Sequence, residues 1–115
     1  MIETKLRKYL KDNTDISVYL EVPENPPDKM IILDKTSGSG KPYMRTAQFA
    51  IQSYADTLND AAELATDVNR LMEILAERDP DISKCELNAG PYPFNDPETK
   101  KHRYQAVYDL IYFDD

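Results

Sequence analysis

Residues 29–54, KMIILDKTSGSGKPYMRTAQFAIQSY, constrain the fold of this chain more than any other stretch. Met30, Ile31, Ile32 and Leu33 form a short apolar run, and after a break of small polar residues Ala47, Phe49 and Ile51 alternate with Gln48, Ala50 and Gln52. Two such runs around a glycine-containing break predict a β-hairpin, with residues 36–42 as its flexible connection. The return strand has one apolar face and one mostly polar face, as in an antiparallel sheet that covers a core on one side only. Another element must therefore supply the cover.

The connection also invites comparison with a phosphate-binding loop, because a strand runs into Gly38-Ser39-Gly40-Lys41. That motif needs glycine where Lys35 stands and Ser or Thr where Pro42 stands. The next element is a strand, so no helix N-terminus is offered to a phosphate. The stretch reads as a hairpin connection, with an anion site as the alternative.

At 115 residues the chain is expected to form a single domain spanning 1–115. Its 21 acidic and 14 basic residues give a net charge of −7, which argues against a general grip on nucleic-acid phosphates. Lys100, Lys101, His102 and Arg103 form the one basic cluster, read as a solvated strand edge guarded against wrong pairing. A single cysteine, Cys85, excludes an intrachain disulfide, and a single histidine, His102, leaves no zinc constellation. No metal or other cofactor is expected. No stretch has the ~20 apolar residues of a membrane span, and the charged N-terminal segment lacks a signal-peptide core, so synthesis in the cytosol is expected.

In chain order, Ile2, Leu6, Tyr9 and Leu10 fall at helical spacing and predict an amphipathic first helix, stopped by Asp12-Asn13-Thr14-Asp15. A short strand over residues 17–22 should come next, with Val18 and Leu20 pointing one way. The prolines at 23, 26 and 27 make residues 23–28 a stiff connector. After the hairpin, Thr57 is a candidate N-cap with Asp60 three residues on. Ala61, Ala62, Ala65, Val68, Met72 and Leu75 then recur every three or four residues and predict one long helix to Arg78, closed by Pro80. Leu64, Leu71 and Ile74 widen its apolar stripe, which suits a cover for the sheet; a groove for a partner is the alternative use.

Residues 81–89 read as a short strand with Ile82, Cys85 and Leu87 as its apolar members. Cys85 is better explained there as a small buried hydrophobe than as a nucleophile. Residues 90–99, with three prolines and two aromatics, predict a long loop of the kind that often carries function. Residues 101–113 alternate Tyr104, Ala106, Tyr108, Leu110 and Tyr112 against Arg103, Gln105, Val107, Asp109 and Ile111, a long closing strand whose second face could meet another subunit. The expected fold class is α+β, a mainly antiparallel sheet with a central hairpin packed by one long and one shorter helix, in the order α-β-β-β-α-β-β.

Several motifs, taken in order, resemble the small tail terminator proteins of long-tailed bacteriophages. They are Val22-Pro23 leading through Pro27 and Asp28 to Ile31-Ile32-Leu33 and Thr36-Ser37-Gly38, then Gln52 to Thr57, then Asp60 to Ala65. The best local match is Gly90-Pro91-Tyr92-Pro93-Phe94-Asn95-Asp96-Pro97 followed by Arg103-Tyr104-Gln105-Ala106. The turn departs from the usual Thr-Gly-Gly type, and a lysine pair precedes the last strand. The resemblance implies a structural virion assembly protein, not an enzyme. It would form a ring, expected as a hexamer, on the head-proximal end of the tail tube, where it ends tube growth and docks the head. The implied partners are further copies of itself, the tail tube protein and a head–tail connector or stopper protein, with DNA passing through unbound by sequence. The implied location is the head–tail junction of the virion.

Within that expectation, Gly38, Gly40 and Lys41 of the first exposed segment and Tyr92, Phe94 and Asn95 of the second are candidate subunit or tube contacts. The two aromatics could equally tuck onto their own core. The same residues leave other readings open: another connector or completion protein of the same region, an acidic adaptor, or a small hydrolase using Asp34, Asp109 and His102 for acid–base work.

Overall fold

The N-terminal apolar spacing winds into helix α1 (Ile2–Thr14), which buries Ile2, Leu6 and Leu10. The computed structural model describes residues 1–41 and 43–113. Helix α1 ends where Asp15 takes a left-handed conformation, φ 59°, and its N–H reaches the Lys11 carbonyl. Strand β1 (Val18–Tyr19) comes next, then β2 (Met30–Lys41), β3 (Met44–Ala55), helix α2 (Leu58–Glu73), a short helix α3 (Leu75–Arg78), β4 (Ile82–Pro93) and β5 (His102–Tyr112). The chain is α+β, and the expected order of strands and helices is the observed one. No helix among the described residues is long and apolar enough to cross a membrane.

The five strands form one sheet in the order β1-β2-β3-β5-β4. Every pairing is antiparallel except that of β1 with β2. The central hairpin is as expected, with Leu33 opposite Ile51 and Met30 opposite Tyr54. Helix α2 starts at Thr57, whose hydroxyl accepts the Asp60 N–H at 3.1 Å. Its buried Ala61, Leu64, Ala65, Val68 and Met72 lie on the face turned to the sheet, and Leu64, Val68 and Met72 share one core with Ile31, Leu33, Phe49, Ile51, Tyr108 and Leu110. Each large side chain so buried contributes on the order of 2 kcal/mol by leaving water. Helix α1 joins the same layer, held by the Tyr9 hydroxyl on the Leu71 carbonyl at 2.6 Å and by Lys5 between Asp79 and Asp81.

Outside the hairpin connection, four expectations need correction. The first strand is two residues long, not 17–22, and Leu20 is exposed because the chain leaves β2 after Tyr19. The long helix is interrupted at Ile74, between α2 and α3. The sheet is not covered on one side only: Met30, Ile32 and Tyr54 form a second small core on the face away from the helices, with Tyr19 against them. Finally, β4 runs on to Pro93 rather than stopping at residue 89, which shortens the expected 90–99 loop from its start. A strand at the edge of a sheet tolerates proline, because its outer side has no partner awaiting an N–H.

Candidate functional site

The six candidate contact residues fall into two groups at opposite ends of the sheet. Gly38, Gly40 and Lys41 lie on the exposed half of β2, opposite Ala47, Arg45 and Met44. The expected flexible connection over residues 36–42 is instead strand as far as Lys41; Pro42 lies outside the described residues. Local hydrogen bonds explain this continuation through residues of low β propensity. The Thr36 hydroxyl donates to the Gln48 side chain at 2.9 Å, and the Ser39 and Thr46 hydroxyls meet at 2.9 Å. Gly40 has φ 120°, and a Cβ there would stand 2.5 Å from the Met44 carbonyl oxygen, so this position requires glycine.

At this end the chain exposes large apolar side chains. Tyr43 is 64% exposed, Met44 45% and Phe113 48%, and Met1 stands free beside Phe113 along the rim of a shallow cavity that also includes Ile82 and Tyr112. Register places Met44 beside Phe113, because Arg45 pairs with Tyr112 and these are the next residues outward on neighbouring strands, and Tyr43 adjoins Met44 along the chain.

The second group sits at the far end. Tyr92 is half-buried and its hydroxyl accepts from Gln105 Nε2 at 2.8 Å, so it tucks onto its own sheet. Phe94 packs edge-on against Tyr92, centroids 6.4 Å apart, yet remains 42% exposed, and Asn95 is exposed. Of the three, only Phe94 and Asn95 present substantial free surface.

What organises this end is Arg103, a role that no spacing in the sequence announces. Its guanidinium lies 4.4 Å from the Phe94 ring centre and 5.6 Å from that of Tyr54. It donates to the Phe94 carbonyl and, at 2.7 Å, to the Tyr54 hydroxyl, while Tyr54 in turn donates to Asp96 at 3.2 Å. Burial pulls the Asp96 carboxyl upward, but the Glu98 amide, the Thr99 and Tyr54 hydroxyls and the Arg103 charge hold it below the ordinary carboxylate value. Tyr54 stands more than forty residues from both Asp96 and Arg103 along the chain, which is why periodicity is blind to the group.

Asp34, Asp109 and His102 are not brought together. Asp109 pairs with Gln48 on β3, and His102 pairs with Ala55 at the other end of the same strand pair. Asp109 accepts from Gln48 Nε2 at 2.9 Å and Asn88 Nδ2 at 2.8 Å, two bonds that hold its carboxyl below the usual range. Cys85 is half-buried, and burial, with the Asp109 charge adding to it, pushes its thiol up to about 12. No group of three or more His, Cys, Asp or Glu side chains among the described residues is placed to hold a metal ion.

No protein-family model matches the sequence, and no curated protein matches it.

Proposed function

We propose that this chain is a structural assembly protein of the tail terminator class, a ring-forming cap on the head-proximal end of a phage tail tube. It ends tube polymerisation there and gives the head a docking surface. The ordered motifs from Val22 to Ala106 support the family, and one structural observation carries the functional reading: the hairpin end exposes Tyr43, Met44 and Phe113, with Met44 beside Phe113 by register and Met1 on the same cavity rim as Phe113. Clustered large apolar groups at one end of a small sheet are costly in water unless a protein surface covers them. The opposite end projects Phe94 and Asn95 from a loop held by Arg103, a second and chemically different surface. A body inserted between tube and head needs two unlike faces of this kind.

The face of the sheet away from the helices supports the third part of the reading, passage of DNA. It carries Asp34, Gln48, Gln52, Gln105 and Asp109, with Gln52 donating to Gln105 at 2.9 Å, alongside two cations that already have partners, Lys84 with Glu86 and Arg103 with Tyr54. Turned towards a central hole, amides and carboxylates would offer phosphates no adhesive surface.

The test is electron microscopy of lysates after the gene is deleted from the phage or prophage that carries it. Tails of uncontrolled length beside separate DNA-filled heads are the expected result. Tails of normal length with unjoined heads would move the assignment to another connector component, and normal infectious particles would remove the virion role altogether.

A further inference from the structure

We infer that copies of this chain join edge to edge, with β2 of one copy adding antiparallel to β4 of the next. The inference deepens the ring proposal and rests on it only for closure. Its basis is that the sheet is open on both sides. Strand β1 covers β2 only at Ile31 and Ile32, so among the described residues no strand lies outside Asp34–Lys41. Lys35 to Lys41 are exposed along with Asp34, and Ser37, Gly38, Ser39 and Gly40 bring little side-chain bulk to guard the backbone. On the other side of the sheet β4 likewise has no outer neighbour among the described residues, but Pro91 and Pro93 remove donors from its C-terminal part.

The two usable halves lie at the same height. Across the sheet, Ser39 aligns with Thr46, Ile111 and Lys84, and Gly38 with Ala47, Leu110 and Cys85. Lower down, Ile31 aligns with Ser53, Tyr104 and Pro93, level with the two residues that β1 covers, so there the neighbour's β4 must splay away from the slot that Val18 and Tyr19 fill, and the pairing is confined to the upper halves. Three successive antiparallel pairings also make β2 and β4 run in opposite directions. Rotation about an axis along the strands keeps those directions, so neighbouring copies meet antiparallel with no axial slip. Leu87, 43% exposed on the helix side of the β4 edge, aligns with Lys35 and gains cover from that side chain's methylenes in the neighbour. Bulges near residues 36, 83 and 88 curve these edges without removing their donors and acceptors. A second copy is the partner that satisfies both open edges at once, which is the heterologous contact that rings are made from.

The test is a directed disulfide in the full chain with Cys85→Ala. Ser39→Cys and Lys84→Cys lie on opposite edges of one copy, three strand spacings or roughly 14 Å apart, too far to bridge within a molecule. Across the inferred contact they are directly opposed. Mild oxidation of the concentrated double variant, and of tails assembled with it, should give covalent trimers and larger multimers, whereas either single variant stops at dimers. The off-register pair Ser39→Cys with Ala89→Cys should not multimerise. Absence of multimers from both samples, or equal multimerisation of the off-register pair, overturns the edge contact. If wild-type protein still sets tail length in that case, the ring proposal survives without this contact. Multimers from a chain whose deletion leaves tails normal would keep the contact and remove the phage role.

Discussion

The guanidinium of Arg103 stacks 4.4 Å from the centre of the Phe94 ring while its Nε donates to that residue's own carbonyl. The same group reaches the Tyr54 hydroxyl at 2.7 Å and approaches Asp96 to 3.8 Å, so one side chain ties β5 and β3 to the 94–101 segment. A lysine has no planar fork to stack and donate at once. Arg103→Lys should therefore cost about 1 to 2 kcal/mol, chiefly by leaving the buried Tyr54 hydroxyl short of a donor. Urea unfolding reads the loss, and hydrogen exchange should rise first in residues 94–101. An unchanged midpoint would mean that this network is ornamental.

Acid should act through two carboxylates. Asp96 and Asp109 both titrate below their ordinary value, Asp96 because its hydrogen bonds and Arg103 outweigh burial, Asp109 because of Asn88 and Gln48. A folded value below the unfolded one means the stabilisation is fully present above the unfolded carboxylate value of about 3.9 and is lost as pH falls through the lower folded value. Thermal midpoints recorded from about pH 6 to about pH 2.5 should drop more steeply for the wild type than for Asp96→Asn or Asp109→Asn. Parallel profiles would contradict the assignment.

The parts of this architecture that are legible in the sequence are those governed by period. Alternation along Ala47, Phe49 and Ile51 and the three-to-four spacing from Ala61 to Met72 report which face meets the core, and both place their elements correctly. Local composition misleads where a partner strand overrides it. Ser-Gly-Ser-Gly reads as a loop until Thr46 and Gln48 bind its neighbouring hydroxyls, and Gly90 to Pro93 reads as a break although it is the edge of a sheet. The stripe through Met72 and Leu75 continues across Ile74, so the helix interruption leaves no trace in the pattern. Of the candidate contacts, small and aromatic residue types flag the two exposed segments, but Tyr92 belongs to its own sheet, and the apolar end formed by Tyr43, Met44 and Phe113 needs the β3–β5 register to assemble it.

Cys85 should be a poor nucleophile. A thiol pushed up to about 12 from 9.0 is thiolate about a thousandfold less often near neutral pH. Maleimide labelling of the native chain at about pH 7.5 should lag behind the urea-unfolded chain by a large factor, and equal rates would show that the site opens freely.

Tyr43→Lys with Met44→Lys separates folding from assembly. Both side chains are exposed, so the double variant should keep its unfolding free energy within about 0.5 kcal/mol of wild type. If the hairpin end meets the tube, the same variant should fail to restore normal tail length when supplied to a deletion strain. Full restoration would exclude this end from the contact.

The hairpin strand is also where two neighbouring glycines should behave differently. A Cβ on Gly40 would stand 2.5 Å from the Met44 carbonyl and 2.8 Å from the Arg45 Cα, both backbone atoms that cannot move without breaking the pair, and φ 120° is foreign to L side chains. Gly40→Ala should cost about 2 to 3 kcal/mol. A Cβ on Gly38 meets the Lys35 Cε at 2.9 Å, but that atom ends a flexible chain and can swing away. Alanine is also a better strand residue than glycine by about 0.5 kcal/mol, so Gly38→Ala should be neutral or slightly stabilising. Denaturant midpoints of the two variants decide the matter: similar losses would mean that the strand beyond the Thr36 bulge is held by something other than the β2–β3 pairing, because only that pairing makes one glycine necessary and the other replaceable.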